Sequence, residues 1–155
     1  MLGYVCKYTP MELFEAMDTE ITRLEPSVTD FNHADTLMHA NICSYTKAVL
    51  EDVMEHDYEG VILTTCCDSI RRLYDTLKSQ FPDKFFFLLD IPRKFNDFAV
   101  ALYERQLKQM LTEYEAFSGK TLDLKRFVSM MQNKAALKKQ ENTRMSASAV
   151  SEKGN

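Results

Sequence analysis

The sequence has no tryptophan and only 4 glycines and 4 prolines among its 155 residues. So little glycine and proline excludes a collagen-like or low-complexity chain. Long hydrophobic runs are missing too. The longest, GVILTTCC, is far shorter than the ~20 residues that a membrane span requires. We therefore expect one globular domain, or part of one, that does not enter a membrane.

Positive charge is also in short supply, because 19 basic residues face 23 acidic ones for a net charge of −4. Phosphate backbones bind basic surfaces, so nucleic acid is not an expected partner. The opening MLGYVCKYTP lacks the basic lead and apolar core of a signal peptide, which predicts a cytoplasmic protein. Disulfides are rare in the cytoplasm. The four cysteines are therefore expected to be thiols or metal ligands.

Several motifs that would identify an enzyme class are missing. The sequence contains no GxxxxGKS/T or GxGxxG loop, which excludes an obvious nucleotide site, and no GxSxG nucleophile elbow. It also contains no CxxC pair, so any metal signal is weaker than that of a zinc ribbon.

Apolar segments of strand length alternate with segments of helical periodicity. Strands are predicted over residues 3–8, 20–24, 60–65 and 84–90. This alternation predicts an α/β fold, a Rossmann-like parallel sheet of about four strands with helices on both faces. In an open sheet of this kind, ligands bind beyond the carboxyl ends of the strands.

Capping residues mark the predicted helix starts. Thr9, Pro10 and Glu12 form a capping-box pattern, and Ser44 and Asp68 are the expected N-caps of two later helices. Residues 26–35 are predicted to form a loop.

A long helix and a basic tail are predicted at the C-terminal end. Apolar residues from Phe95 and Phe98 to Phe117 keep helical spacing and are assigned to the core, and Gly119 ends this helix. A last helix is expected over residues 123–139. Residues 134–155 carry a net +3, which leaves −7 on residues 1–133. We therefore divide the chain into a domain, 1–133, and a tail, 134–155, whose last 15 residues or so are predicted to be disordered.

The cysteines lie near strand ends or helix starts. Cys6 is near the end of the first predicted strand, Cys66 and Cys67 follow the third, and Cys43 precedes a helix. Helix N-termini favour the thiolate, which is the metal-binding form. The pattern indicates either a thiolate site for an iron–sulfur cluster or zinc, or thiols that only pack in the core. Neighbouring strand residues point to opposite faces, so Cys66 and Cys67 are not expected to ligate together. This favours an incomplete ligand set.

Two further groups are candidates. His33, Asp35 and His39 could bind a metal or could be solvated polar residues. Arg93, which follows a strand, and Arg71, near a helix start, could meet a phosphate or carboxylate or could be ordinary surface charge.

Four blocks, taken together and in order, resemble the 2-hydroxyglutaryl-CoA dehydratase D-component family, which includes 2-hydroxyacyl-CoA dehydratase subunits and relatives of benzoyl-CoA reductase. The blocks are GYVCKYTP with Glu12, NICSY, TCCDS followed by RRL, and LDIPR. They span about residues 3–95, with weaker similarity through the long helix, and correspond to the family's N-terminal domain. Asp18 stands where the family usually has Gly.

The resemblance implies a specific chemistry. Family members use two Rossmann-like domains whose cysteines hold a 4Fe–4S cluster near the domain junction. Dehydratase members eliminate water from (R)-2-hydroxyacyl-CoA through a ketyl radical, after an ATP-hydrolysing activator has injected one electron. Carried over, Cys43 and Cys67 match cluster cysteines, and Cys66 and Cys6 are further candidates.

The resemblance also implies a missing part. A third cluster cysteine is expected from a later domain, but no cysteine follows Cys67. The cluster is thus expected to be shared with a second domain or partner subunit. The chain is expected to be a fragment or one piece of a split protein, inactive alone.

Three functions remain open at this point. The first is the iron–sulfur component of a 2-hydroxyacyl-CoA dehydratase-like enzyme. The second is an electron-transfer iron–sulfur protein of the same family without acyl-CoA chemistry. The third is a metal-free α/β domain that binds a partner.

Overall fold

The structure is a computed structural model that describes residues 1–28 and 30–151, with side chains described up to residue 140. Its centre is a 4-stranded parallel sheet in the order β2-β1-β3-β4. The strands are β1 (Leu2–Tyr4), β2 (Ile21–Arg23), β3 (Gly60–Thr64) and β4 (Phe85–Leu89). The predicted α/β fold is confirmed. The strands are shorter than predicted, since turns follow β1 and β3: the Thr9 N–H donates to the Cys6 carbonyl at 2.9 Å and the Cys66 N–H to the Thr64 carbonyl at 2.7 Å.

Six helices surround the sheet in the described part of the chain: α1 (Met11–Ala16), α2 (Asn32–Leu37), α3 (Ser44–Glu55), α4 (Asp68–Gln80), α5 (Asp97–Ser118) and α6 (Leu124–Ser151). Among these described helices, none is both long and apolar enough to span a membrane.

Helices cover both faces of the sheet, as predicted. Helices α2, α3 and α4 pack on the face that carries Val61 and Leu63 of β3. Helices α1 and α5 pack on the opposite face, around Ile62. Consecutive β3 residues thus enter two separate cores, which is why this strand is apolar without alternation.

Helix α2 corrects the prediction of a loop over residues 26–35. Its N-cap residue is Phe31, which carries no capping oxygen. The carboxylate of Glu51 in α3 takes that role instead, because its Oε1 accepts the Ala34 N–H at 2.8 Å. Because Glu51 lies 17 residues after Ala34 in the chain, the sequence around the start of α2 does not reveal this cap.

The predicted N-caps are displaced. Cys43 and Cys67 are the N-cap residues of α3 and α4, so Ser44 and Asp68 already belong to the helices. Thr9 does not cap α1, whose N-cap position is Pro10. The Thr9 hydroxyl is buried and has no hydrogen-bond partner among the described residues.

The apolar stripe of α5 is only partly core, since Ala99, Met110 and Tyr114 are its buried residues. Phe98 and Phe117 are 78% and 43% exposed, and Phe95, which precedes the helix, is 98% exposed, so the assignment of these three residues to the core was wrong. The Gln106 amide accepts the Asp90 N–H at 2.8 Å, directly beyond β4. Phe98 precedes Gln106 by about two helical turns and therefore lies beyond the carboxyl end of β4.

The C-terminal part agrees with the sequence where α5 ends and α6 begins, but α6 continues to Ser151, beyond its predicted end at residue 139. Gly119 adopts the left-handed conformation that ends α5, with φ +70°, and α6 follows. Lys134, at the predicted boundary of the tail, pairs with Glu12 and Glu15 of α1 at 3.1 and 3.3 Å. The predicted disorder of about the last 15 residues concerns side chains beyond residue 140 and residues 152–155, which lie outside the described part, and it stays a prediction.

Candidate metal centre

The strand order places a crevice between β1 and β3. The chain leaves β1 toward β2 on one side and enters β3 on the other, which makes their carboxyl ends a topological switch point. Cys6 lies two residues beyond β1 and Cys66 two residues beyond β3. Both line one cavity of about 230 Å³, together with Tyr8, Thr64, Thr65, Ile91, Pro92 and Arg93.

Cys43 is placed by the start of α3. Its Sγ lies 3.2 Å from Thr46 Oγ1. Burial disfavours the thiolate, but hydrogen bonds from the Thr46 side chain and backbone, the Ser69 hydroxyl and the Tyr45 backbone outweigh it and lower the pKa of the Cys43 thiol. Because Ser69 belongs to the first turn of α4, Cys43 lies against the N-terminal ends of both helices.

Cys66 and Cys67 lie in the turn between β3 and α4, and both are exposed. Burial raises the pKa of the Cys66 thiol, the Thr64 hydroxyl opposes this, and the charge and hydrogen bonding of Cys67 raise it further. The two thiols therefore interact. The expectation that they point to opposite sides assumed strand alternation, but both residues follow the end of β3.

Tyr45 is influenced by three of the four cysteines, Cys6, Cys43 and Cys66. Its side chain is exposed on the first turn of α3. Burial of part of the ring raises the pKa of the Tyr45 phenol, Arg23 lowers it, and the thiols of Cys66, Cys6 and Cys43 raise it. Three thiols from three separate segments thus lie within electrostatic range of one phenol.

We call Cys6, Cys43, Cys66 and Cys67 the thiol rim. All four are free thiols. Within the described residues, no three His, Cys, Asp or Glu side chains are grouped closely enough to hold one metal ion. Thiolates are ligands for both zinc and iron–sulfur clusters, so the donor types alone fit either group.

The second predicted metal group is not assembled. His33 Nδ1 lies 2.6 Å from Glu51 Oε2, and Asp35 pairs with Lys47 at 2.5 Å. His39 Nδ1 accepts a backbone N–H two residues further on, at 3.2 Å. Each side chain has its own partner, so this segment has a structural role around α2.

The two candidate arginines are separated. Arg93 lines the cavity that contains Cys6 and Cys66. Arg71 instead lines a different cavity of about 390 Å³, beside α4, with Arg72 and Asp75 among its neighbours. Only Arg93 of this pair is positioned to act together with the thiol rim.

The sequence analysis did not identify the residues that hold the segment after β4, whose residues 91–93 line the cavity. The Thr65 hydroxyl donates to the Asp90 carboxylate. Gln106 of α5 accepts the Asp90 N–H at 2.8 Å and donates to its carbonyl at 3.2 Å. These bonds fix the segment that leads to Arg93. No local sequence pattern marks Gln106.

The fold and the site together define a parallel α/β protein with a thiol-lined rim at its topological switch point. Residues 6–149 match the family model described as 2-hydroxyglutaryl-CoA dehydratase, D-component. The chain therefore belongs to the 2-hydroxyglutaryl-CoA dehydratase D-component family, which confirms the resemblance seen in the sequence. No match was found among curated proteins.

Proposed function

We propose that this chain is an iron–sulfur component of a 2-hydroxyacyl-CoA dehydratase-like enzyme, which eliminates water from (R)-2-hydroxyacyl-CoA. The observation that carries the proposal is the equivalent placement of two cysteines. Cys43 and Cys67 are the N-cap residues of α3 and α4, which pack on the same face of the sheet. Family membership supports the same function.

Cys43 and Cys67 are the residues that we assign to the cluster. The free N–H groups and dipoles of two helix N-termini stabilise negative charge on their sulfurs. When bound, the cluster supplies one-electron chemistry. The task of the chain is to present thiolates at an exposed edge, where an ATP-dependent activator protein could deliver an electron.

Arg93 is the candidate for recognition of an anionic group on the substrate. Its guanidinium lines the cavity beside Cys6 and Cys66, where a charged hydrogen bond to a carboxylate or phosphate is favourable. The cavity measures about 230 Å³, which is below the ~300 Å³ that marks the lower end of ligand pockets. It therefore suits the acyl portion of an acyl-CoA rather than the whole molecule.

The proposal includes partners. A second domain or subunit completes the enzyme, and the chain alone is inactive in dehydration. The activator and the acyl-CoA substrate are further partners. The acyl group itself is left open.

Anaerobic reconstitution with iron and sulfide tests the proposal. The unmutated chain should bind both in equal amounts and gain visible absorption, and Cys43→Ser and Cys67→Ser should each lose them. Full retention in both variants would refute the ligand assignment. An iron-free unmutated chain would favour a metal-free binding domain. Calorimetry with acyl-CoA then separates a dehydratase component from an electron-transfer protein, which should show no binding heat.

A further inference from the structure

We infer that the chain forms a dimer with a second copy of itself, in which β4 of one copy pairs antiparallel with β4 of the other. The inference goes beyond the proposed function and does not rest on it. It concerns the lateral edge of the sheet along β4, whereas the thiol rim lies beyond the carboxyl ends of the strands.

Strand β4 is the last strand of the sheet and has a neighbour, β3, on one side only. The Phe85 N–H donates to the Glu59 carbonyl at 2.9 Å, and the Leu89 carbonyl accepts the Thr65 N–H at 3.0 Å. The backbone groups of a strand point alternately to its two sides, so Phe87 faces β3 as well. The two residues between these three therefore direct their N–H and C=O groups away from the sheet.

Those two residues, Phe86 and Leu88, form a short open stretch with closed ends. In the part of the chain that the structure describes, their outward backbone groups have no partner. The next outward residue on one side, Lys84, already donates its N–H to the carbonyl three residues before it at 3.1 Å. On the other side, the Asp90 N–H donates to the Gln106 side chain at 2.8 Å. The open stretch is thus centred on residue 87.

A second copy fits this stretch because antiparallel pairing about Phe87 is symmetric. Phe86 of one copy then lies opposite Leu88 of the other, and each such pair exchanges two hydrogen bonds. The following pair would join Lys84 to Asp90, whose N–H groups are already bonded, so the pairing ends where the open stretch ends. One two-fold axis therefore satisfies every open group, and two-fold dimers are the commonest homo-oligomers.

The composition of β4 favours pairing. Its sequence, FFFLL, contains no charged residue and no proline, which are the residues that commonly keep an edge strand from joining another chain. The opposite edge strand, β2, has 3 residues and ends at the exposed Arg23. Of the two edges, β4 is therefore the one open to a second strand.

The helix beside β4 carries a stripe of both charges, which we call the α4 stripe. Its members, Asp68, Arg71, Arg72 and Asp75, share one side of α4 through their helical spacing and line a cavity of about 390 Å³ with Leu88. Among the described residues, none of the four has an ion-pair partner.

The two-fold axis brings two copies of the α4 stripe together. Helix α4 packs on the face of the sheet that carries Phe86 and Leu88, and opposed residues of an antiparallel pair share one face. The two stripes therefore lie on the same side of the joined sheet and run in opposite directions. Equal numbers of acidic and basic side chains make this surface complementary to itself, as an interface between identical surfaces requires.

Solution mass and amide exchange test the inference on the complete, unmutated chain. The thiols are kept reduced, because Cys43, Cys66 and Cys67 are exposed. Sedimentation equilibrium over a concentration series should give twice the 18.0 kDa mass of one chain. A chain that stays monomeric at every concentration would overturn the inference and leave β4 open to a strand of another protein.

Amide exchange followed by NMR locates the interface. Exchange at Phe86 and Leu88 should slow as the dimer forms. The Phe87 N–H faces β3 in both states and is the internal control, so its protection should not change. A dimer in which Phe86 and Leu88 exchange at the rate of the monomer would overturn the pairing through β4.

Leu88→Pro tests the backbone contact. The Leu88 N–H faces outward, so proline removes a donor to the second copy without removing a hydrogen bond to β3. We expect the dimer to weaken by at least about tenfold, because two hydrogen bonds are lost per dimer. Leu88→Val keeps the N–H and should dimerise like the unmutated chain. Urea unfolding verifies that both variants are folded, and undiminished dimerisation of folded Leu88→Pro would overturn the inference.

Charge exchange on the α4 stripe leaves β4 unchanged. Arg71→Glu with Arg72→Glu makes the stripe entirely acidic, whereas Asp75→Arg makes it mainly basic, and all three positions are exposed. Each variant alone should dimerise more weakly than the unmutated chain, and an equal mixture of the two should recover a mixed dimer. Unchanged dimerisation of both variants, or no recovery in the mixture, would contradict the two-fold arrangement.

Discussion

The thiol of Cys43, at the start of α3, interacts with the hydroxyl of Ser69, in the first turn of α4. This contact joins the N-terminal ends of two helices at the carboxyl edge of the sheet. Each N-terminus carries unpaired N–H groups and the positive end of a helix dipole. The site therefore favours negative charge before any cofactor binds.

The first prediction concerns thiol reactivity in the metal-free protein. The pKa of Cys43 is lowered because hydrogen bonds from Thr46, Ser69 and Tyr45 outweigh burial, whereas burial raises the pKa of Cys66. Since the thiolate is the reactive form, iodoacetamide should label Cys43 at a lower pH than Cys66. Peptide mass spectrometry after short labelling pulses across a pH series measures both.

Ser69→Ala provides the matched variant for this prediction. It removes one hydrogen bond to the Cys43 sulfur and should move the labelling curve of Cys43 to higher pH, while Cys66 is unaffected. Labelling of Cys66 before Cys43 in the unmutated protein would contradict the prediction.

The sheet and the neighbourhood of the cysteines could be predicted from the sequence, because both follow from local patterns. Buried strands such as Gly60–Thr64 are short apolar runs, and residues after parallel strands gather at one edge. The helix starts were displaced by one residue, since Ser44 and Asp68 are better capping residues than the cysteines that precede them.

Other features depend on contacts between residues that are far apart in the sequence, which local sequence patterns do not predict. Helix α2 is capped by Glu51, which lies in another helix. Phe98 keeps helical spacing with the buried part of α5, but periodicity does not reveal where the sheet ends. Cys66 and Cys67 lie in a turn that begins at Thr65, whereas the strand was predicted to continue through Thr65.

The second prediction concerns Glu51, whose side chain is 3% exposed. It accepts the Ala34 N–H at 2.8 Å and contacts His33 Nδ1 at 2.6 Å. Glu51→Ala leaves a buried backbone donor unpaired and should lower the free energy of unfolding by about 1–3 kcal/mol. Urea unfolding measures the loss, and amide exchange should show that α2 opens first.

Glu51→Gln is the control for that change. It keeps the size of the side chain and one carbonyl acceptor for the Ala34 N–H, so its loss of stability should be smaller. Equal stability of Glu51→Ala and the unmutated protein would contradict the role of this carboxylate as a cap.

The third prediction concerns Asp18, which is not a glycine although it has a positive φ of +55°. A Cβ in this conformation costs about 1–2 kcal/mol, and aspartate reduces the cost through its short polar side chain. Asp18→Ala should therefore be less stable than the unmutated protein by about 1 kcal/mol. Asp18→Gly should be more stable than Asp18→Ala, although both lose the exposed contact with Arg126 at 3.1 Å. Urea midpoints with Ala below Gly test this order, and the reverse order would contradict it.

The last prediction is a pH dependence of stability caused by Tyr114. Its buried hydroxyl donates to Glu59 Oε1 at 2.9 Å and lies 3.1 Å from Thr19 Oγ1. Burial raises the pKa of Tyr114 to about 12. The hydrogen bond with Thr19 lowers this pKa, and the neighbouring Glu59 carboxylate raises it. In the unfolded chain the phenol ionises near its ordinary value of 10.0, so its stabilising contribution is complete below that pH.

Stability should therefore fall as the pH rises from 10.0 toward about 12, because the unfolded state releases this proton first. Tyr114→Phe removes the ionisation, so the stability of this variant should fall less steeply over the same pH range. At neutral pH the variant should be less stable by about 1–2 kcal/mol, because the hydrogen bonds of the hydroxyl are lost. Urea unfolding of both proteins at several pH values measures the difference. Tyr58, whose pKa is also raised to about 12, contributes equally to both and cancels in the comparison. A constant gap between the two proteins across this range would show that Tyr114 ionises alike in the folded and unfolded states.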